Sequence, residues 1–269
     1  MTVPPPQARW PPWAGPLALI CGLVIGIVGG GIAAAVIPGG DAHGTLSPAA
    51  IDVATVIQDL GFVAAVLVIA ARFAPVRARQ LGLVGPRSAW QAVVLVPVAI
   101  VLVSLLAYAW FAALGRSGQE KEFVKEIGGN AGTLSVLAVC ALVCVVAPIC
   151  EELLFRGFIF RSLANWRGPL PAALLTGALF GVVHGLSAPA VDLVPLALLG
   201  IVLCALYQLT GSLYPCIALH LLNNALALGS DESWGTGRVV ALMAAALAIV
   251  ALVLAAIRLA SARWQPASG

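Results

Sequence analysis

Residues able to perform acid–base chemistry occur in three apolar segments between positions 151 and 224. The segments contain Glu151, Glu152 and Arg156 in the first, His184 with Phe180 one turn earlier in the second, and His220 with the hydrogen-bonding Asn224 one turn later in the third. Carboxylates and imidazoles transfer protons, and amide or imidazole N–H groups stabilise a developing oxyanion. If the three segments meet, these residue types predict a hydrolytic site.

Helical spacing gives the two glutamates different environments. Glu152 and Arg156 are four residues apart, so they share a helix face and can pair. Glu151 points about 100° away and can face a bundle interior. A plainer interpretation also stays open, in which two interfacial carboxylates at a helix end are balanced by one arginine.

The two histidine segments allow a structural and a functional interpretation. His184 alone is typical of an interfacial or structural histidine, although Phe180, one turn earlier, could pack beside its ring and exclude water. His220 and Asn224 share a face and could simply form interhelical hydrogen bonds. Together with Glu151 they favour one site, because a bundle brings inward-facing groups from several helices to one point.

Composition identifies the elements that must position these residues. Of 269 residues, 61% are hydrophobic and 9% are charged, with a mean hydropathy of +1.05. Repeated apolar runs of about 20 residues match the bilayer thickness, and lipid requires that such spans be helical. We therefore predict an all-α, polytopic membrane bundle of about eight transmembrane helices. They cover 14–37, 51–73, 90–114, 133–163, 171–186, 191–209, 213–228 and 238–260.

The chain divides into a tail (1–13), three helices with their loops (14–132), a catalytic core (133–228) and a last helix with its tail (229–269). Gly22, Gly26 and Gly30 predict close approach of another helix and allow self-association. The six cysteines are typical of small buried hydrophobic residues. Since the charge of +3 forms no basic stripe, nucleic acid is not expected as a partner. We expect membrane lipid and a peptide or membrane-anchored protein instead.

Basic residues predict the orientation. With both termini in the cytoplasm, eight spans place ten of the fourteen Lys and Arg residues inside and four outside, the four being Arg116, Lys121, Lys125 and Arg238. An Ala-, Gly-, Pro- and Arg-rich composition hints at a GC-rich bacterial gene, and therefore at a bacterial plasma membrane. His43 is expected in a solvated loop.

In their order and spacing, Glu-Glu-x-x-x-Arg, Phe-x-x-x-His and His-x-x-x-Asn resemble the CPBP family, the CAAX-protease and bacteriocin-processing (ABI) intramembrane proteases. The resemblance covers about 133–228. It implies an intramembrane endopeptidase in which Glu151 is the general base and His184 helps to hold the water. It further implies that His220 and Asn224 stabilise the oxyanion, with Glu152, Arg156 and Phe180 in supporting positions.

Metal use is left open by the residues. Glu151, His184 and His220 could supply three zinc ligands, but HExxH is absent and Asn224 is a poor zinc ligand. We favour a glutamate mechanism without a cofactor, with zinc as the alternative. Among the other acids, Asp192 is interpreted as structural at a helix start, and Asp59 as either a core hydrogen-bonding group or a proton-relay element.

Two other functions compete with proteolysis. A proton-coupled transporter also uses intramembrane acids and histidines, but paired repeats and matching broken helices are not evident. An inactive membrane immunity or scaffold protein could keep the same fold. Prenylated C-termini, leader peptides and membrane proteins all remain open as substrates, with prenylated ones disfavoured if the gene is bacterial.

Overall fold

The computed structural model describes residues 10–39, 46–115 and 133–263. Within these ranges the chain forms eight helices and no strand. They are α1 (Ala14–Val36), α2 (Pro48–Ala71), α3 (Ala89–Ala113), α4 (133–167), α5 (Pro169–Val183), α6 (Leu193–Thr210), α7 (Leu213–Asp231) and α8 (Thr236–Arg263). The predicted all-α bundle is confirmed, with helix ends shifted by a few residues. His43, Arg116, Lys121 and Lys125 lie outside the described residues.

Six of the helices, α1, α2, α3, α4, α6 and α8, are long and apolar enough to cross a membrane. Helix α5 has only 15 residues, and α7 carries the polar residues of the third motif. The protein is therefore an integral membrane protein with a polytopic helical bundle.

Local sequence signals set several helix starts. Ser47, Ser88 and Ser212 precede α2, α3 and α7, and each side chain accepts a hydrogen bond from a backbone N–H of the first turn. Gly211, with a φ of 67°, forms the left-handed turn between α6 and α7. Ser212 also donates to the carbonyl of Val84 at 2.6 Å, which ties this turn to the segment before α3.

The glycine face of α1 packs against α2, as the predicted close approach requires. A methyl group on Gly26 would lie 2.8 Å from the side chain of Gln58, and one on Gly30 would lie 3.4 Å from the Cβ of Ala54. These glycines thus serve a contact within the chain, and the face is not free for the self-association that the spacing also allowed.

A second glycine contact joins α5 to α6. A Cβ on Gly200 would lie 2.8 Å from the Cα of Gly177 and 3.1 Å from the Cβ of Phe180. The two backbones therefore approach without side chains between them, as small residues permit in membrane bundles. This approach fixes the carbonyl of Gly200 and the ring of Phe180 beside α4.

Helix α4 is interrupted by two π-helical segments, Leu142–Val146 and Phe155–Phe160. Between them lies the regular segment Ala147–Leu154, which carries both glutamates. Such wider turns change the register of a helix and leave carbonyl groups available, and they are frequent at functional sites. The second segment is fully buried, so α4 forms the centre of the bundle.

The cysteines follow the prediction. All six are free thiols, five of them buried and Cys21 partly buried.

Candidate active site

Glu152 and Arg156 form an ion pair in the centre of the bundle. Both side chains are 0% exposed, and Nη1 of Arg156 donates to Oε1 of Glu152 at 2.7 Å. Nη2 of Arg156 donates to the carbonyl of Gly200 at 3.0 Å. A buried pair is tolerated only when such extra hydrogen bonds replace lost hydration. The pairing expected from four-residue spacing is therefore present, in the protein core and not at a helix end.

Aromatic rings complete the surroundings of Arg156. Its guanidinium carbon lies 4.6 Å from the ring centre of Phe180 and 5.7 Å from that of Phe155. The two rings contact each other edge to face at 5.0 Å. We call Glu152, Arg156, Phe155 and Phe180 the charge cluster.

Phe180 also contacts both histidines. Its ring centre lies 4.6 Å from that of His184 and 5.5 Å from that of His220. The predicted packing of Phe180 beside His184 is thus present, and the same ring contacts the guanidinium of Arg156.

Glu151 lies between the two imidazoles. Its Oε2 is 3.9 Å from Nε2 of His184 and 3.9 Å from Nε2 of His220. The side chains of Glu151, His184 and His220 are 14%, 23% and 3% exposed, so the group opens on the His184 side. Oε2 of Glu151 is buried and has no hydrogen-bond partner within the described part of the protein. We call Glu151, His184, His220 and Asn224 the cleft.

Hydrogen bonds at Nδ1 orient each imidazole so that Nε2 faces Glu151. Nδ1 of His184 lies 2.7 Å from the carbonyl of Phe180. A carbonyl only accepts, so Nδ1 carries a proton, and Nε2 of the neutral ring is an acceptor. Nδ1 of His220 lies 2.9 Å from Oε1 of Glu152. A carboxylate also only accepts, so this Nδ1 carries a proton too. Both Nε2 atoms are thus directed towards Glu151 and away from their structural partners.

Asn224 is anchored by the first π-helical segment of α4. Its Nδ2 donates to the carbonyl of Val143 at 2.9 Å. A primary amide has a second N–H on the same nitrogen, so one donor remains for a ligand. The structure therefore brings Glu151, His184, His220 and Asn224 into one region, while their catalytic roles remain predictions.

The three possible zinc ligands do not fit a shared ion well. Two ligands at about 2.0–2.2 Å from a tetrahedral zinc are about 3.3–3.5 Å apart, whereas Glu151 lies 3.9 Å from each imidazole. Among the described residues, no three His, Cys, Asp or Glu side chains are arranged to hold a metal ion. Chemistry without a metal stays a prediction.

The remaining acids have separate positions. Asp192 ends a short 3₁₀ turn and directly precedes α6, a position in keeping with its structural interpretation. Asp59 is 1% exposed in α2, a helix that packs against the Ala147–Leu154 segment of α4.

Two backbone groups of the site were not expected from the sequence. The carbonyls of Val143 and Gly200 accept from Asn224 and Arg156. For Gly200 the sequence gives a weak indication, since a glycine on an apolar helix is typical of close helix packing. For Val143 the sequence gives no indication, because no residue pattern marks a π-helical turn within an apolar run.

One family model matches this region. Residues 133–226 match the model described as "Rce1-like: Type II CAAX prenyl endopeptidase Rce1-like". The matched segment begins at α4 and ends within α7, and it contains every residue of the charge cluster and the cleft. Among curated proteins and solved structures, none matches the chain significantly.

Proposed function

We propose that the protein is an intramembrane endopeptidase that hydrolyses membrane-associated peptides at the cleft, because residues 133–226 match the family model of Rce1-like type II CAAX prenyl endopeptidases. The observation that carries the proposal is the position of Oε2 of Glu151, 3.9 Å from Nε2 of both His184 and His220. A water molecule bound to Oε2 of Glu151 and Nε2 of His184 would have both of its protons directed to acceptors.

In this mechanism Glu151 is the general base. Water donates one hydrogen bond to Oε2 of Glu151 and the other to Nε2 of His184, so its oxygen lone pair is free to attack the scissile carbonyl. As the new C–O bond forms, Glu151 takes the proton. A positioned base of this kind contributes about 10²–10⁴-fold.

Asn224 and His220 are proposed to stabilise the oxyanion. Asn224 offers its second N–H while the first holds Val143. His220 can donate from Nε2 only with protons on both nitrogens, because Nδ1 is directed to Glu152. Preorganised donors of this kind are worth about 3–4 kcal/mol each.

Collapse of the tetrahedral intermediate breaks the C–N bond, and Glu151 returns its proton to the departing amine. Phe180 covers the inner side of the imidazoles, which limits water to the face where the peptide binds. Because Glu151 and Glu152 are adjacent, their side chains point about 100° apart around the helix, and the reacting carboxylate is separate from the structural one.

The substrate is proposed to reach the cleft from the membrane. A prenylated C-terminal peptide, a leader peptide or a segment of a membrane protein would each place an extended backbone beside Glu151. We propose a bacterial plasma membrane with both termini in the cytoplasm, on the basis of the Lys and Arg distribution.

Cleavage of peptides tests the proposal. The purified protein, in detergent or nanodiscs, is incubated with fluorogenic membrane-soluble peptides, half of them prenylated. Glu151→Gln and His184→Ala are compared with wild type and with Glu232→Gln, a carboxylate change after the end of α7. Each protein is assayed with and without a chelator.

We expect wild type and Glu232→Gln to cleave a peptide and both cleft variants to lose cleavage. Equal activity with a chelator supports the glutamate mechanism, and loss of activity restored by zinc contradicts it. A peptide cut equally by all four proteins would show that the cleft is not the active site.

A further inference from the structure

Six arginines lie at one end of the bundle, where α1, α3, α5 and α7 begin and α2, α4 and α6 end. Contacts between these helix ends hold two of the arginines in place. Nη1 of Arg161, near the end of α4, donates to the hydroxyl of Tyr207 in the last turn of α6 at 3.0 Å. Nη1 of Arg87, just before α3, donates to the carbonyl of Gln208 at 3.4 Å. We call the six residues the arginine surface, and they are Arg72, Arg77, Arg79, Arg87, Arg161 and Arg167.

No carboxylate balances the arginine surface. Among the described residues, the one ion pair between an arginine and a carboxylate is that of the charge cluster. The sequence contains no Asp or Glu at 60–119 or 153–191, the two stretches that hold all six arginines. Asp192 precedes α6 and Glu232 follows α7, so both lie at the opposite end of the bundle. This end of the protein therefore has a positive charge that its own side chains do not neutralise.

Aromatic side chains indicate that the arginine surface lies at the boundary of the membrane. Trp13, directly before α1, is 55% exposed, and its ring centre lies 5.6 Å from that of Phe73 at the end of α2. The first turn of α1 also meets α4 directly after Arg161, because a Cβ on Gly15 would lie 2.7 Å from Oγ of Ser162. Exposed tryptophans are typical of the headgroup level of a bilayer. Arg161 is therefore placed at the level of lipid headgroups.

Arg161 is held by neutral groups, which leaves its charge unpaired. One of its N–H groups is used on Tyr207, and its guanidinium carbon lies 5.7 Å from the ring centre of Trp10. Tyr207 is itself fixed below Gly82, since a Cβ on that glycine would lie 2.6 Å from the tyrosine hydroxyl. A partly buried charge is unfavourable unless an ion of opposite sign pairs with it. Phosphate oxygens fit a guanidinium well, because they accept two parallel hydrogen bonds from it.

We propose that the arginine surface binds the headgroup phosphate of anionic phospholipids, with Arg161 as the fixed contact and the exposed Arg87 beside it. Lipid is the occupant, because exposed aromatic rings at the same level give the surface an apolar margin for acyl chains. In the proposed orientation this end also faces the cytoplasmic leaflet, which carries the negative surface potential. The inference goes beyond the proposed function, and its test needs no peptide.

Competition between two lipids tests the proposal. The purified full chain is released from detergent in the presence of phosphatidylglycerol and phosphatidylcholine in equal amounts and with identical acyl chains. Native mass spectrometry then gives the ratio of the two lipids that stay bound. The proteins compared are wild type, Arg161→Gln, Arg161→Lys, Arg87→Gln and Arg238→Gln.

Arg238→Gln is the matched control. Arg238 is exposed, like Arg87, but it lies in the first turn of α8. Helix α8 follows α7, so its start is at the end of the bundle opposite to the arginine surface. The substitution removes the same charge from the protein as Arg161→Gln does. It should leave the ratio of bound lipids unchanged.

We expect wild type to retain phosphatidylglycerol in preference to phosphatidylcholine. Arg161→Gln should lower the ratio by about fivefold, the effect of one basic residue near an anionic lipid surface. Arg161→Lys should keep part of the preference, because it keeps the charge and loses the paired hydrogen bonds. If Arg161→Gln does not accumulate, Arg87→Gln tests the same surface, since that side chain is exposed.

Three results would overturn the proposal. The first is equal retention of the two lipids by wild type, which would leave the arginines as determinants of orientation alone. The second is an equal loss of preference in Arg161→Gln and Arg238→Gln, which would show an effect of net charge without a site. The third is preferential retention of an added acidic peptide over phosphatidylglycerol, which would assign the surface to a protein partner. Peptide cleavage is measured separately, so its failure would contradict the proposed function and not this inference.

Discussion

The adjacent residues Glu151 and Glu152 lie in opposite surroundings. Glu152 is 0% exposed and bound to Arg156, so the charge cluster is closed and balanced. Glu151 is 14% exposed, and its Oε2 has no hydrogen-bond partner in the described structure, so this carboxylate can still bind another group. A rotation of about 100° along one helix produces this difference. One α4 turn therefore supplies both a structural ion pair and a carboxylate available for chemistry.

His220 connects the two regions. Nδ1 of its imidazole faces Glu152 at 2.9 Å and Nε2 faces Glu151 at 3.9 Å. A change in the charge cluster is therefore felt in the cleft through this ring. A substitution in the charge cluster that leaves cleavage unchanged would weaken this account, and one that lowers both stability and cleavage would support it.

The largest expected effect on stability comes from Arg156→Met. It leaves Glu152 as an uncompensated buried charge, which should lower the free energy of unfolding by about 3–5 kcal/mol. Denaturant unfolding in mixed micelles measures the loss. In the double variant with Glu152→Gln the loss should be smaller than in Arg156→Met alone. Equal losses of stability in the two proteins would show that Arg156 does not stabilise the protein through its ion pair with Glu152.

Asn224→Ala should lower kcat by about 10²–10³-fold through loss of one oxyanion donor. The accompanying loss of the hydrogen bond to Val143 should reduce stability by only about 1 kcal/mol. Steady-state cleavage and thermal unfolding separate the two effects. Asn223→Ala, one residue earlier, is the control and should retain activity. If Asn224→Ala raises KM with kcat unchanged, Asn224 binds peptide and does not stabilise the transition state.

Most of the helices and the convergence of the motifs could be predicted from the sequence. Apolar length determines a transmembrane helix, and four-residue spacing pairs Glu152 with Arg156 whatever the tertiary context. The partners supplied by other helices could not be derived in this way. That Val143 and Gly200 provide the acceptors depends on a π-helical turn and on a glycine contact, both of which are tertiary outcomes.

Phe180→Leu should produce a smaller effect in both regions. It removes edge-to-face contacts with Phe155 and His220 and the cation–π contact with Arg156, together worth about 1–2 kcal/mol of stability. Cleavage should also fall, because His184 loses its neighbouring ring. Phe158→Leu is the matched control, since Phe158 is equally buried but packs on Trp10. If the two variants lose cleavage equally, Phe180 has no special relation to the histidines.

The smallest effect is expected on the lipid-facing side. Leu252 of α8 is 71% exposed, and Leu252→Ala should change stability by no more than about 0.5 kcal/mol. Leu154→Ala, in the fully buried part of α4, should lower it by about 2–5 kcal/mol. Unfolding of the two variants under identical lipid conditions makes the comparison. A large loss of stability in Leu252→Ala would indicate that another protein packs on that face of α8.

The most direct test compares Glu151→Gln with Glu152→Gln in peptide cleavage and unfolding. The account predicts that Glu151→Gln lowers kcat by about 10²–10⁴-fold and keeps wild-type stability, since Oε2 of Glu151 has no hydrogen bond to lose among the described residues. Glu152→Gln should instead lower stability, because Arg156 is left buried and unpaired, and should keep measurable cleavage at permissive temperature. The account is contradicted if Glu151→Gln cleaves at the wild-type rate, or if the two variants exchange these phenotypes.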